Sequence, residues 1–95
     1  MIQSFKDDDT RRLFEGSRVP RRANIATVAM RKLAMLNAAA VRDDLRVPPG
    51  NRLEALAGDR KGQHSIRVND QWRICFKWAK AGPADVEIVG LPLRP

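Results

Sequence analysis

Near Arg52 the hydrophobic period of the chain changes, and that change limits what it can fold into. Before it, Ile25, Val28, Ala29, Leu33, Leu36 and Ala40 recur at helical spacing. After it, residues alternate, most clearly in Trp72-Arg73-Ile74-Cys75-Phe76-Lys77-Trp78. Helices followed by a run of strands predict an α+β fold, with N-terminal helices packed on a twisted antiparallel sheet of about four to five strands. The 95 residues fit one domain, 1–95: a mainly helical layer over 1–50, the sheet over 51–89 and a tail over 90–95.

Ile2 to Phe5 reads as an edge strand. Asp7-Asp8-Asp9-Thr10 reads as the start of a short helix, because carboxylates cap and complement a helix N-terminus. Capping accounts for this acidic run without a metal. The helix is expected to turn Leu13 and Phe14 inward and to stop near Gly16. Asn24 is the expected N-cap of the main helix, which runs to about Ala40. Lys32 interrupts its apolar stripe and is expected to snorkel from the border, while Met30 and Met35 flank the same face. Val41 to Asn51, with Pro48-Pro49-Gly50, reads as a turn of helix and a rigid loop.

Strands are expected at Leu53–Leu56, His64–Val68, Trp72–Trp78 and Asp85–Val89, with turns at Gly58 and at Ala81-Gly82-Pro83. The loop between the second and third of these decides which side chains share a face. A two-residue loop would set Ile66 opposite Arg73. A three-residue loop, Asn69-Asp70-Gln71, sets Val68 opposite Trp72, Ile66 opposite Ile74 and His64 opposite Phe76. A one-residue slip exchanges the two faces, so burial selects the three-residue loop. Arg67 then faces Arg73 on the other side of the sheet, with Gln63, Ser65, Cys75 and Lys77. Like charges directly opposed are unfavourable, so they point to an anion-binding face or to a cluster neutralised by Glu54.

Charge supports an anionic partner. Lys and Arg total 18 against 11 Asp and Glu, a net charge of +7. Nucleic acid, ribosome, anionic lipid and an acidic protein all fit that balance. Cys75 is the sole cysteine and His64 the sole histidine, so an internal disulfide and a zinc cluster are both excluded. His64 shares the parity of Ile66 and Val68, which makes it a structural residue first. The N-terminus has no apolar signal region, and no apolar run approaches the roughly 20 residues of a membrane span. A soluble, cytoplasmic protein with no membrane partner is the expectation.

Asn51 to Ile66, followed by Arg67-Val68-Asn69-Asp70-Gln71-Trp72-Arg73-Ile74-Cys75-Phe76, resembles the centre of the HigB-type killer toxins of the RelE/ParE superfamily. Met1 to Phe5, Arg31 to Leu36 and Pro48-Pro49-Gly50 are also similar, so the likeness extends to about Val89. The resemblance implies a RelE-like fold and a toxin that cleaves mRNA on the translating ribosome without a metal or other cofactor. It implies neutralisation by a helix-turn-helix antitoxin of HigA type, with operator DNA bound only through the toxin–antitoxin complex. The implied chemistry is attack of a ribose 2′-OH on the adjacent phosphate. Arg73 matches the family arginine at the scissile phosphate. Glu54 stands where some relatives carry histidine and is the candidate base, with Arg67 the third candidate catalytic residue. Arg60 and Lys61 match a basic turn at the rim. With Gln63, Gln71 and Lys77 they form the candidate RNA- and ribosome-binding set. Ala57 stands where some relatives carry lysine.

One departure is large. The family usually ends in an acidic residue, tyrosine and histidine, whereas Val89 is followed here by Gly90-Leu91-Pro92-Leu93-Arg94-Pro95. Glycine and two prolines also discourage a continued strand. Three readings stay open: an active mRNA endonuclease, a catalytically impaired homologue that binds antitoxin and regulates an operon, and a ParE-like gyrase inhibitor.

Overall fold

The computed structural model describes residues 1–92, and the tail expectation for Leu93 to Pro95 lies outside them. The chain forms α1 (Asp8–Phe14), α2 (Ala26–Ala38), β1 (Glu54–Ala55), β2 (Gln63–Arg67), β3 (Trp72–Ala79) and β4 (Gly82–Gly90). The strands make one antiparallel sheet in the order β1-β2-β3-β4. Among the described residues, no helix is long and apolar enough to cross a membrane.

Asp7 caps α1 through its carboxylate, accepting from the Thr10 amide at 3.0 Å and the Thr10 hydroxyl at 2.6 Å. The same hydroxyl accepts from the Ile88 amide at 3.1 Å, which ties α1 to β4. The chain leaves α1 at Gly16, where φ is 87°, a conformation favoured by glycine. Leu13 is buried, while Phe14 is half-buried against Phe5.

α2 starts later and stops earlier than expected. Residues 20–22 form a 3-10 turn, and the Ile25 amide donates back to the Arg22 carbonyl at 3.1 Å. Asn24 is thereby used in the turn, and Ile25 takes the cap position with no side-chain cap. Ile25, Ala29, Leu33 and Leu36 are buried with Leu13 and Leu45 against Ile66, Val68, Ile74, Phe76, Val86 and Ile88. Truncating one of these large aliphatic side chains to alanine would cost about 2–5 kcal/mol. Lys32 does not snorkel. It is 7% exposed, and its ammonium donates to Asn51 Oδ1 inside the protein. Met30 is exposed and Met35 half-buried.

The β2–β3 register is the expected one: His64 pairs with Phe76, Ile66 with Ile74 and Arg67 with Arg73. Asn69 shapes the loop by accepting from the Gln71 amide at 2.8 Å and the Trp72 amide at 2.9 Å. The Val68 amide donates to the Trp72 carbonyl at 2.9 Å, closing the hairpin.

β1 is shorter than the expected Leu53–Leu56, although the Leu56 amide still bonds the Gln63 carbonyl at 2.9 Å. β4 is longer than expected and includes Gly82 and Pro83, so the turn lies at Lys80-Ala81. Only glycine fits at residue 82: φ is 142°, and a Cβ there would strike the Met1 carbonyl. β4 also carries a bulge, since Cys75 pairs with Glu87 but Lys77 with Ala84. Among the described residues, Ile2–Phe5 makes one bridge, parallel, from Phe5 to Val86. Backbone bonds Gln3 N to Pro83 O, Val86 N to Ser4 O and Lys6 N to Val86 O nevertheless line this segment along the β4 edge. It thus occupies the place of a fifth strand, protecting an edge that would otherwise be open.

Candidate functional site

The sheet turns one face to the helices. On the other, register sets Glu54, Ser65, Cys75 and Glu87 in one row across the four strands, with Arg67, Arg73 and Val89 in the next. Arg73 is only 6% exposed despite facing away from the helical layer. Its Nε donates to the Ser65 hydroxyl at 2.7 Å. Its Nη2 donates to the Arg52 carbonyl at 2.5 Å and the Ser65 carbonyl at 3.2 Å. Its Nη1 lies 4.0 Å from Glu54 Oε1 and makes no hydrogen bond among the described residues.

The Arg52 carbonyl reaches Arg73 because of the loop before β1. A 3-10 turn over Pro49–Asn51 ends on Arg52, whose φ of 45° and ψ of 58° are left-handed. That backbone reversal aims the carbonyl at the guanidinium.

An open groove of about 620 Å³ is lined by Glu54, Asp70, Gln71, Arg73, Leu91 and Pro92. The structure therefore brings together Arg73, Glu54 and Gln71 from the expected set. Arg67 faces Arg73 across the ladder but does not line the groove, and its guanidinium is taken by Asp70 in the hairpin loop.

The remaining expected residues lie elsewhere on the same face. Arg60 Nη1 donates to Glu87 Oε1 at 2.8 Å and Gln63 Oε1 at 3.1 Å, and Lys6 approaches Glu87 at 3.8 Å. The Glu87 bond chiefly raises the Arg60 pKa. Cys75 is fully buried, and that burial pushes its thiol up to about 11; Arg60, Arg73 and Lys6 pull the other way and Glu87 adds to the rise. Lys61 is exposed after the 3-10 turn Gly58–Arg60, and Lys77 lies 3.6 Å from Asp85. None of these cations lines the groove.

His64 lies on the helix-facing side, half-buried and stacked on Phe76 with ring centroids 6.4 Å apart. Burial, then Arg42 and Arg46, lower its pKa, and its buried Nδ1 has no hydrogen-bond partner among the described residues. Among those residues, no three His, Cys, Asp or Glu side chains gather as metal ligands.

Sequence reasoning gave no role in the site to Ser65 or Asp70, and it read Leu91 and Pro92 only as a departure from the family ending. The hairpin register already placed Ser65 beside Arg73. No sequence signal announced the Arg52 carbonyl, since a left-handed arginine is rare. Leu91 reaches the groove because β4 continues to Gly90 and the Leu91 amide donates to the Gln71 carbonyl at 2.7 Å.

Residues 3–90 match the family described as RelE-like toxin of type II toxin-antitoxin system HigB. The chain is 46% identical over 76 residues to Toxin HigB-1 of Vibrio cholerae serotype O1, covering 80% of this chain and 73% of that protein. It is 38% identical over 80 residues to an uncharacterized protein of Haemophilus influenzae, covering 80% of this chain and 77% of that one. The crystal structure of YafQ from E. coli strain BL21(DE3) is similar in fold alone, with a TM-score of 0.63 and 13% identity over 96% of this chain and 92% of that chain. The α+β arrangement is thus RelE-like, and the chain belongs to the HigB family of RelE-like toxins of type II toxin–antitoxin systems.

Proposed function

We propose that this toxin is an endoribonuclease that cuts mRNA on the translating ribosome, using the groove between Glu54, Gln71 and Arg73. The observation that carries this reading is the anchoring of Arg73. Ser65 and the Arg52 carbonyl hold Nε and Nη2, while Nη1 lies on the Glu54 side of a site wide enough for a phosphodiester. Donors fixed before the reaction stabilise developing charge without reorganisation, each worth roughly 3–4 kcal/mol.

In this reading the Glu54 carboxylate takes the proton of a ribose 2′-OH, and that oxygen attacks the adjacent phosphorus. Arg73 Nη1 holds the non-bridging oxygens as negative charge builds on them. The bond to the 5′-oxygen breaks, leaving a 2′,3′-cyclic phosphate, and the 5′-oxygen takes its proton from water. Gln71 contacts the RNA at the groove edge. Arg60, Lys61, Gln63, Arg67 and Lys77 add to the surrounding field that draws a polyanion. The cognate partner is a helix-turn-helix antitoxin of HigA type, which carries the toxin to operator DNA.

Leu91 and Pro92 favour a second reading, a slow or inactive homologue retained for antitoxin binding. They line the groove at the positions where an acid–base ending is expected, and neither side chain transfers a proton.

The deciding experiment is induction of the wild-type and Arg73→Ala genes with mapping of mRNA 5′ ends. Cuts within translated frames that vanish in Arg73→Ala are the expected result. Unaltered growth arrest by Arg73→Ala would remove the mechanism. Binding to antitoxin without cleavage by the wild type would select the second reading, and lost DNA supercoiling would select gyrase.

A further inference from the structure

We propose that the buried Lys32–Asn51 pair is a positioning device for Arg73, locking the loop whose last residue supplies the carbonyl that aims the guanidinium. This rests on the reading of Arg73 as the phosphate-binding residue.

The contacts form one continuous path. Lys32 projects from α2, and its ammonium donates to Asn51 Oδ1. Asn51 is fully buried, and its Nδ2 donates to the Leu45 carbonyl at 3.1 Å and approaches Met35 Sδ at 3.1 Å. The Asn51 and Arg52 amides each close a turn at 3.0 Å, onto the Pro48 and Pro49 carbonyls. Arg52 follows directly in its left-handed conformation and accepts from Arg73 Nη2. One side chain thus pins the loop to the main helix at one point and to the preceding 3-10 turn, Arg42–Arg46, at another.

The choice of residues argues for a specific role. Lys32 occupies a core position between Ala29 and Leu36, where a leucine would pack without desolvating a charge. No carboxylate pairs with it among the described residues. Burial, with Arg31 and Arg67 nearby, lowers its pKa. A buried cation with one neutral acceptor is a poor way to gain stability. It is an effective way to fix one loop geometry, because every other loop position leaves the ammonium without a partner. The alignment of Arg73 is the feature of the groove that depends on that geometry.

Lys32→Met and Lys32→Gln separate this role from packing. Both side chains end one atom short of the lysine nitrogen and are nearly equal in size, but only glutamine keeps a donor for Asn51. The readouts are thermal melting, protection of the Arg73 Nη2 hydrogens from solvent exchange by nitrogen-15 NMR, and cleavage of mRNA on programmed ribosomes.

The expected result is a folded K32M with lost Arg73 protection and kcat reduced about 10- to 100-fold at unchanged KM, since small misplacements of a catalytic group have that effect. K32Q is expected to recover most of both. Wild-type protection in folded K32M, or equal losses in K32M and K32Q, would overturn the proposal. Should K32M not fold, the double variant K32M/N51L replaces it: the ammonium and its acceptor are removed together, so no buried charge is left unpaired, and unchanged Arg73 protection again overturns the proposal. If Arg73→Ala still cleaves, the endonuclease assignment to Arg73 falls, yet the NMR comparison still decides whether Lys32 positions the guanidinium.

Discussion

Arg67 and Arg73 stand directly opposite each other on β2 and β3, yet different partners hold their guanidinium groups. Arg67 is drawn to Asp70 at the hairpin tip, and Arg73 is drawn to Ser65 and the Arg52 carbonyl. A like-charged pair that would oppose the ladder is thereby split. Only Arg73 is left lining the groove, with Glu54 beside it.

Ser65→Ala removes the acceptor of the Arg73 Nε–H and leaves a buried donor unpaired. The expected cost is about 1–3 kcal/mol of stability, measured by urea denaturation. Cleavage is expected to fall by more than the small population unfolded explains. A variant with wild-type kcat would show that the Arg52 and Ser65 carbonyls suffice to aim Arg73.

Glu54→Gln keeps the shape of the groove wall and removes the proposed base. Loss of general base catalysis is expected to slow cleavage by about 10²-fold or more. Stability is expected to change little, because Glu54 is exposed and its approach to Arg73 is 4.0 Å. Single-turnover cleavage at saturating programmed ribosomes checks the rate, and an unchanged rate would reduce Glu54 to an electrostatic neighbour.

The pair Leu91→Tyr and Pro92→His restores a phenol and an imidazole beside Arg73. Leaving Gly90 in place avoids pressing a Cβ against the Trp72 ring, whose nearest atom would be 3.2 Å away. If the native ending limits proton transfer, cleavage should rise on the order of 10²-fold. No gain would show that the present tail does not limit the reaction.

His64 predicts a pH effect on stability. Burial, first, and then Arg42 and Arg46 hold its folded pKa below the ordinary 6.5. On acidification the unfolded chain takes up this proton first, so stability is full above about pH 6.5 and is lost as pH falls through the lower folded value. Melting temperatures between neutral and acidic pH should decline more steeply in the wild type than in His64→Gln. Parallel curves would assign the acid sensitivity to other groups.

Much of this molecule was legible in the order of its residues. Alternation in Trp72–Trp78, with the length of the Asn69-Asp70-Gln71 loop, fixed a register that depends only on neighbours along the chain, and Arg67 therefore met Arg73 as expected. The placement of Ile66, Ile74 and Phe76 in the core followed from the same parity. The long-range contacts were not legible. Lys32 reads as a snorkelling residue until Asn51, nineteen positions away, is folded against it. Arg73 reads as an open cation until the Arg52 carbonyl, separated by 21 residues, turns toward it through a left-handed backbone. The N-terminal segment lies on β4 because the bonds joining Gln3, Ser4 and Lys6 to Pro83 and Val86 cross nearly the whole chain. Period and parity are local properties of a polypeptide. Which carbonyl aims a guanidinium, and which amide receives a buried ammonium, is decided only when distant segments share one packed interior.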